Sequence, residues 1–138
     1  PLKIAGEWWE KYDKSCKKNV KIIKPVSFEK SFEIIAQSRV LADSSPFFKM
    51  GVHDRIYAGM ANNTVVMTDS NKYRMNILDN VAEMYSINDV DDICAKADKL
   101  LNDTAYYENM VYRAHEEYKK NYTWNNVGER IIKHFLSE

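Results

Sequence analysis

The stretch Gly51 to Arg55, Gly-Val-His-Asp-Arg, holds the residue types in this chain that are best suited to binding an anion. Gly51 is one of only four glycines, and it can adopt backbone angles closed to other residues or let a ligand approach closely. A helix beginning at Val52, His53 and Asp54 would direct unpaired N–H groups and its dipole at a phosphate. Arg55 would add a forked cation, and His53 could donate to phosphate or a sugar hydroxyl.

Each of these residues also has a structural interpretation, which stays open at this point. Asp54 is equally suited to cap the helix. His53, as a loop histidine, is compatible with a solvated side chain, and Arg55 with a surface ion pair.

Two further polar residues, Ser45 and Asp69, follow apolar runs at 39–43 and 64–68. In open parallel sheets, ligands bind beyond the carboxyl ends of the strands. We therefore expect Ser45 and Asp69 to border the same crevice as the Gly51 to Arg55 turn, with Asp69 accepting hydrogen bonds from hydroxyls. The alternative for Asp69 is a cap on a helix starting near Lys72.

The elements that position these residues alternate between strand and helix along the chain. Continuous apolar runs, typical of strands buried on both faces, occur at 2–5, 19–23, 39–43, 64–68 and 83–87. Helical patterns occur at 8–18, after Ser27, at 54–61 and, after the last strand, in segments capped by Asn88 or Asp89, Thr104 and Thr123. The order predicts a single α/β domain over 1–138, with a doubly wound, Rossmann-like parallel sheet, helices on both faces and a helical C-terminal tail.

The overall composition argues against several classes of protein. Twenty basic and twenty acidic residues cancel, so no global charge attracts nucleic acid or an anionic membrane. No apolar run approaches the roughly 18 to 20 residues of a membrane span, and the N-terminus lacks the layout of a signal peptide. Cys16 and Cys94 are predicted to be buried free thiols of a reducing compartment, which favours the cytoplasm.

No other motif in the sequence indicates a catalytic or metal-binding function. No spacing of histidine, cysteine and acidic residues predicts a metal site, and no nucleophile elbow or glycine-rich phosphate loop occurs, so no catalytic residue is assigned. The pair Trp8 and Trp9 is interpreted as packing rather than as a base-stacking platform. His115 and His134 are predicted to be exposed.

The segment KIIKPVSFEKSFEIIAQSRVLADSSPFFKMGVHDRIYAGMANNTVVMTD resembles the donor-binding, C-terminal half of GT-B glycosyltransferases. The resemblance is to the bacterial glycosyl transferases group 1 type, which includes spore-maturation-like proteins. The C-terminal NYTWNNVGERIIKHFL is similar to the closing helix of that family. The matching positions are Gly51, His53, Asp54, Arg55, Tyr57, Gly59, Met60, Thr68 and Asp69.

The resemblance implies two Rossmann-like domains facing a cleft, with this one binding a nucleotide-diphosphate sugar as the donor substrate. Gly51 to Arg55 would hold the diphosphate and sugar, and Asp69 would lie near the donor sugar or its nucleotide. Neither a metal nor another cofactor is implied for the transfer. The acceptor domain of the same protein, and the first strand and helix of this half, are expected upstream of Pro1, so this chain is interpreted as a fragment that is inactive alone.

Two positions depart from the family pattern. Asn63 replaces the glycine that ends the helix, a mild change because asparagine tolerates the left-handed conformation. Ala58 stands where related enzymes place a glutamate that holds the ribose, and this departure keeps an alternative open. The alternative is a catalytically inactive, doubly wound interaction or scaffold domain. A receiver-type signalling domain is disfavoured because LKIAGEWWEKYD lacks the acidic pair that such domains need.

Overall fold

The computed structural model describes residues 2–5 and 19–136. From residue 20 to residue 85, strands and helices alternate as the sequence predicts, and the elements described after them are helices. The predicted helix at 8–18, with Trp8, Trp9 and Cys16, lies outside the described residues. The elements are β1 (Leu2–Ala5), β2 (Val20–Ile23), α1 (Phe28–Ala36), β3 (Val40–Asp43), α2 (Asp54–Ala61), β4 (Val65–Asp69), α3 (Lys72–Ile77), β5 (Glu83–Tyr85), α4 (Val90–Asn102), α5 (Thr104–Asn121) and α6 (Trp124–Leu136).

The chain divides into two compact units, residues 1–34 and 35–138, and the boundary falls within α1. In the first unit, β1 and β2 pair in parallel, with Leu2 opposite Val20. In the second unit, β3, β4 and β5 form a parallel sheet in that order. The interpretation of 1–138 as a single domain stays a prediction.

The strand β4 is the centre of the second unit, and every one of its residues is buried. Its side chains alternate between two hydrophobic clusters, because neighbouring side chains of a strand point to opposite faces. Val66 packs with residues of α2, while Val65 and Met67 pack with residues of α4. Helices therefore cover both faces of this sheet, which confirms the doubly wound α/β class.

Helix caps explain where several helices begin. Ser27, Asp89 and Thr123 accept hydrogen bonds from the backbone N–H groups of Lys30, Asp92 and Asn126, as the sequence predicts. The predicted cap Thr104 is wrong. The carboxylate of Asp103 accepts from Tyr106 N at 2.9 Å, because Asp103 has an extended backbone, whereas Thr104 is already helical.

Two predictions about single side chains are also wrong. Cys94 is exposed, because the core-facing side of α4 carries Ile93, Ala97 and Leu100 instead. His115 is half-buried, with Nδ1 3.1 Å from the backbone oxygen of Met60. The other histidine on a C-terminal helix, His134, is exposed as predicted. None of the described helices has the length and apolar character needed to cross a membrane.

Candidate functional site

The turn before α2 has the backbone that the sequence predicts for it. Gly51 has a φ of +155°, which an L-residue with a side chain adopts only with strain. Two residues later, His53 is extended and forms the N-cap of α2, with Nδ1 3.4 Å from the backbone nitrogen of Arg55. Asp54 is the first helical residue, so the interpretation of Asp54 as the cap is wrong. Its side chain is 74% exposed.

His53 and Arg55 lie against each other at this helix end. The guanidinium Nε is 3.1 Å from the imidazole Nδ1, and Nη2 is 3.0 Å from Nε2. The side chains of His53 and Arg55 are 31% and 49% exposed. The carboxylate of Asp54 also contacts Nδ1. Because Nδ1 cannot accept from Arg55 and donate to Asp54 at once, these two contacts belong to different hydrogen arrangements of the ring.

Behind this turn lies Asp43, the last residue of β3, and its side chain is completely buried. Its Oδ2 accepts from Ser45 Oγ at 3.1 Å and from Thr68 Oγ1 at 3.3 Å. Its Oδ1 lies 3.4 Å from Arg55 Nε. The hydroxyl of Tyr85 donates to the backbone oxygen of Asp43 at 2.8 Å. Burial raises the pKa of Tyr85, and this keeps its hydroxyl protonated as a donor.

Asp69 is the last residue of β4, and it is turned inward. It is 3% exposed, and its Oδ1 lies 2.6 Å from Nη1 of the fully buried Arg74. The same Oδ1 accepts from the backbone nitrogen of Ser45 at 2.7 Å. The expectation of an open Asp69 at the crevice is therefore wrong. Asn71, rather than Asp69, caps α3 by accepting from Arg74 N at 2.8 Å.

Arg74 joins the end of β4 to the loop at 44–51. Its Nη1 donates to the backbone oxygen of Asp69 at 3.0 Å, and its Nη2 donates to the backbone oxygen of Ser45 at 2.9 Å. Ser45 is itself buried, so its contacts fix the start of the loop. Further along, Asn71 Nδ2 donates to the backbone oxygen of Phe48. The loop is thus held at Ser45 and again at Phe48 before it reaches Gly51.

Sequence reasoning did not find Asp43, Thr68, Arg74 and Tyr85 as members of this network. Arginine is almost never fully buried unless it is paired, so Arg74 in a short polar helix gives no signal of its burial. The available hint was that β3 ends in an acidic residue at the same rim as Asp69.

Other parts of the described chain are weaker candidates for a functional site. A surface depression between α5 and the turn before β5 is lined by side chains of mixed charge, among them Glu116 and Lys119. Because Asn80 and Val81 of that turn precede β5, this depression lies at the opposite edge of the sheet from His53. Among residues 2–5 and 19–136, no group of three or more histidine, cysteine or acidic side chains could hold a metal ion.

Comparisons with known proteins show what this chain is similar to. The glycosyl transferase-like family matches residues 1–133. A crystal structure of Anabaena Alr3699/HepE in complex with UDP and glucose is 11% identical, with a TM-score of 0.75. A second crystal structure of that protein, in complex with UDP-glucose, is 12% identical, with a TM-score of 0.73. Each comparison covers 90% of this chain, which spans 34% of the solved chain. The search of curated protein sequences found no match.

At these identities the solved structures report on the fold alone, and they agree with the parallel sheet and helical C-terminus described above. The family match covers nearly the whole chain and includes the turn at Gly51, the strand end at Asp69 and the C-terminal helices. The chain therefore belongs to the glycosyl transferase-like family, and its fold is that of one half of a GT-B glycosyltransferase.

Proposed function

We propose that this domain binds the nucleotide-diphosphate sugar donor of a glycosyltransferase, with the diphosphate at the N-terminus of α2. One observation carries the proposal: His53 and Arg55 lie together, partly exposed, at the helix end beyond the carboxyl edge of the parallel sheet. The acceptor group and the acceptor-binding domain belong to the rest of the protein in this proposal.

The backbone of the turn supports anion binding. The N–H groups of Val52, His53 and Asp54 make no hydrogen bond within the described part of the chain, whereas Ile56 N already donates to His53 O. Unpaired N–H groups at a helix N-terminus, together with the helix dipole, favour an anion. The same groups would stabilise negative charge on the departing diphosphate during sugar transfer.

The remaining predicted site residues have supporting parts in this proposal. Gly51 lets the chain turn into α2, and Ser45 and Asp69 fix the preceding loop through Arg74. Asp54 is the exposed carboxylate of the group, so it is suited to accept a hydrogen bond from a sugar hydroxyl. Because Alr3699/HepE was crystallised with UDP and with UDP-glucose, uridine nucleotides are the first ligands to test.

The experiment is calorimetric titration of the protein with UDP, GDP and ADP and with their glucose conjugates, alongside inorganic phosphate. A charge-assisted hydrogen bond contributes about 1.5 to 3 kcal/mol, so Arg55→Ala should weaken binding by roughly tenfold or more. His53→Ala removes a weaker bond and should weaken binding about fivefold. Arg130→Ala, which removes an exposed arginine of α6, is the matched control and should leave the affinity unchanged.

A nucleotide that binds the wild type and both site variants equally would contradict the assignment of the diphosphate to this turn. Absence of binding by every nucleotide would favour the second candidate, an inactive interaction domain. Ala58 is the observation behind that candidate. Its half-buried methyl group sits on α2, three residues after Arg55, and cannot accept a hydrogen bond from a ribose.

A further inference from the structure

The carboxyl edge of the sheet buries more negative than positive charge. Asp43 and Asp69 are both buried there, and the only other buried charged residue of the described chain is Arg74. Arg74 Nη1 pairs with Asp69 at 2.6 Å, so it compensates that carboxylate. Asp43 is left without a compensating cation among these buried residues, and a buried carboxylate charge without a partner is strongly unfavourable.

Arg55 is the cation that compensates Asp43. The Oδ2 atom of Asp43 is satisfied by the hydroxyls of Ser45 and Thr68. The Oδ1 atom accepts no hydrogen bond from any residue that the structure describes, and Arg55 Nε lies 3.4 Å away. Nε carries one hydrogen, which is directed at His53 Nδ1 3.1 Å away. A small rotation of the guanidinium would redirect that hydrogen to Oδ1 and form a charge-assisted hydrogen bond.

The side chains of Asp43 and Arg55 differ in conformational freedom. The side chain of Asp43 is fully buried and held by two hydroxyls, whereas that of Arg55 is 49% exposed. A long exposed side chain loses rotamer entropy when a ligand fixes it. A fixed carboxylate at Nε restrains the guanidinium in advance. Its Nη1 group makes no hydrogen bond within residues 2–5 and 19–136, so it is free to meet an anion.

We propose that Asp43 is a positioning residue, which anchors Arg55 through Nε and presents the far edge of the guanidinium at the N-terminus of α2. The identity of the anion as a nucleoside diphosphate rests on the proposed function. The pairing of Asp43 with Arg55 rests on the contacts alone, so the two ideas can fail separately.

The first experiment observes Arg55 directly and needs no ligand. In a ¹⁵N-edited NMR spectrum, the Nε–Hε signal of Arg55 is assigned as the one lost in Arg55→Ala. Asp43→Asn keeps an oxygen acceptor for Ser45 and Thr68 but removes the charge. It should move this signal to the position of exposed arginines and speed its exchange with water. Asp98→Asn, the same change at an exposed site of α4, should leave the signal in place.

The second experiment measures UDP affinity in a double-mutant cycle. Asp43→Asn should weaken binding by about three- to tenfold in the wild type and have no effect in Arg55→Ala. Removing a negative charge from the rim alone would instead tighten binding, so unchanged or tighter binding would overturn the positioning role. If the wild type fails to bind UDP, the proposed ligand is wrong, and the NMR signal still decides whether Asp43 anchors Arg55.

A second variant keeps the test decisive if Asp43→Asn does not fold. Ser45→Ala removes one hydroxyl that holds Asp43 Oδ2 at 3.1 Å but leaves the charge in place. It should move the Arg55 signal in the same direction by a smaller amount. An Arg55 signal that is unchanged in every folded variant would overturn the inference.

Discussion

Gly59 is a point of close packing between α2 and the sheet. A Cβ atom there would lie 2.7 Å from Val66 Cγ2, 3.2 Å from Leu41 Cδ2 and 3.4 Å from the backbone oxygen of Thr64. Val66 is fully buried, and its β-branched side chain has little freedom at χ1. The methyl group of Gly59→Ala would therefore force α2 away from β4 or push Val66 off its rotamer.

Two effects of opposite sign determine the change in the free energy of unfolding. Alanine in a helix interior is more favourable than glycine by about 1 kcal/mol. Overpacking a filled core costs about 1 to 3 kcal/mol, and a 2.7 Å contact is far inside the ordinary carbon separation of about 3.5 to 4.0 Å. We expect the steric effect to win, with Gly59→Ala destabilising the protein by about 1 to 2 kcal/mol.

The chain contains a matched control in Gly128, which lies inside α6. A Cβ atom at Gly128 would have no neighbour within 4 Å, so only helix propensity acts there. Gly128→Ala should stabilise the protein by about 0.5 to 1 kcal/mol in the same urea titration, followed by circular dichroism. Adding Val66→Ala to Gly59→Ala should give a smaller loss than the sum of the two single variants. Gly59→Ala with a stability equal to or above the wild type would refute this reasoning.

Three further changes test the buried network, a helix cap and a titration. Arg74→Met leaves the Asp69 carboxylate buried without its cation, so urea titration should show a loss of about 3 to 5 kcal/mol, and a loss below 1 kcal/mol would contradict the pairing. Asp103→Ala should lower stability by about 1 kcal/mol and Thr104→Ala by less, whereas the reverse order would restore Thr104 as the cap. Burial, followed by the hydrogen bond to a glutamate, raises the pKa of Tyr106 to about 12, so its tyrosinate absorbance should appear near that pH. Because folding raises this pKa, the protonated Tyr106 hydroxyl contributes to the free energy of unfolding. This contribution is complete below pH 10.0 and is lost as the pH rises through about 12. Tyr106→Phe should abolish that loss.

The fold could be predicted largely from local patterns because its strands are short, continuous apolar runs separated by helical spacing. The strand limits were less accurate. The run at 64–68 was displaced by one position from β4, and the run at 83–87 extended past the end of β5. Hydrogen bonding to a neighbouring strand sets these limits, and Thr68 and Asp69 find their partners in β5, which no local pattern shows.

The candidate site could be predicted only where it is local. The spacing of Gly51, His53 and Arg55 follows from a turn entering a helix, and the structure brings these residues together. The network behind them depends on residues far apart in the sequence, such as Ser45 with Asp69, 24 positions apart, and Asp43 with Tyr85, 42 positions apart. Side chains that meet only after the sheet has formed leave no periodic signal, so an inward-turned Asp69 could not be distinguished from an open one.

The burial of the strand-end carboxylates also determines what the rim can attract. Had Asp43 and Asp69 both faced solvent, two negative charges would oppose a diphosphate at the end of α2. Instead, Asp69 is neutralised by Arg74, and Asp43 is shielded and turned towards Arg55. The positive helix end and Arg55 then act on a rim whose exposed carboxylate is Asp54. In the proposed site this separates two kinds of recognition, because the helix end suits the anionic part of a donor and Asp54 suits a neutral hydroxyl. Asp54→Asn should therefore weaken UDP-glucose binding more than UDP binding in parallel calorimetric titrations, and an equal effect on both ligands would contradict the separation.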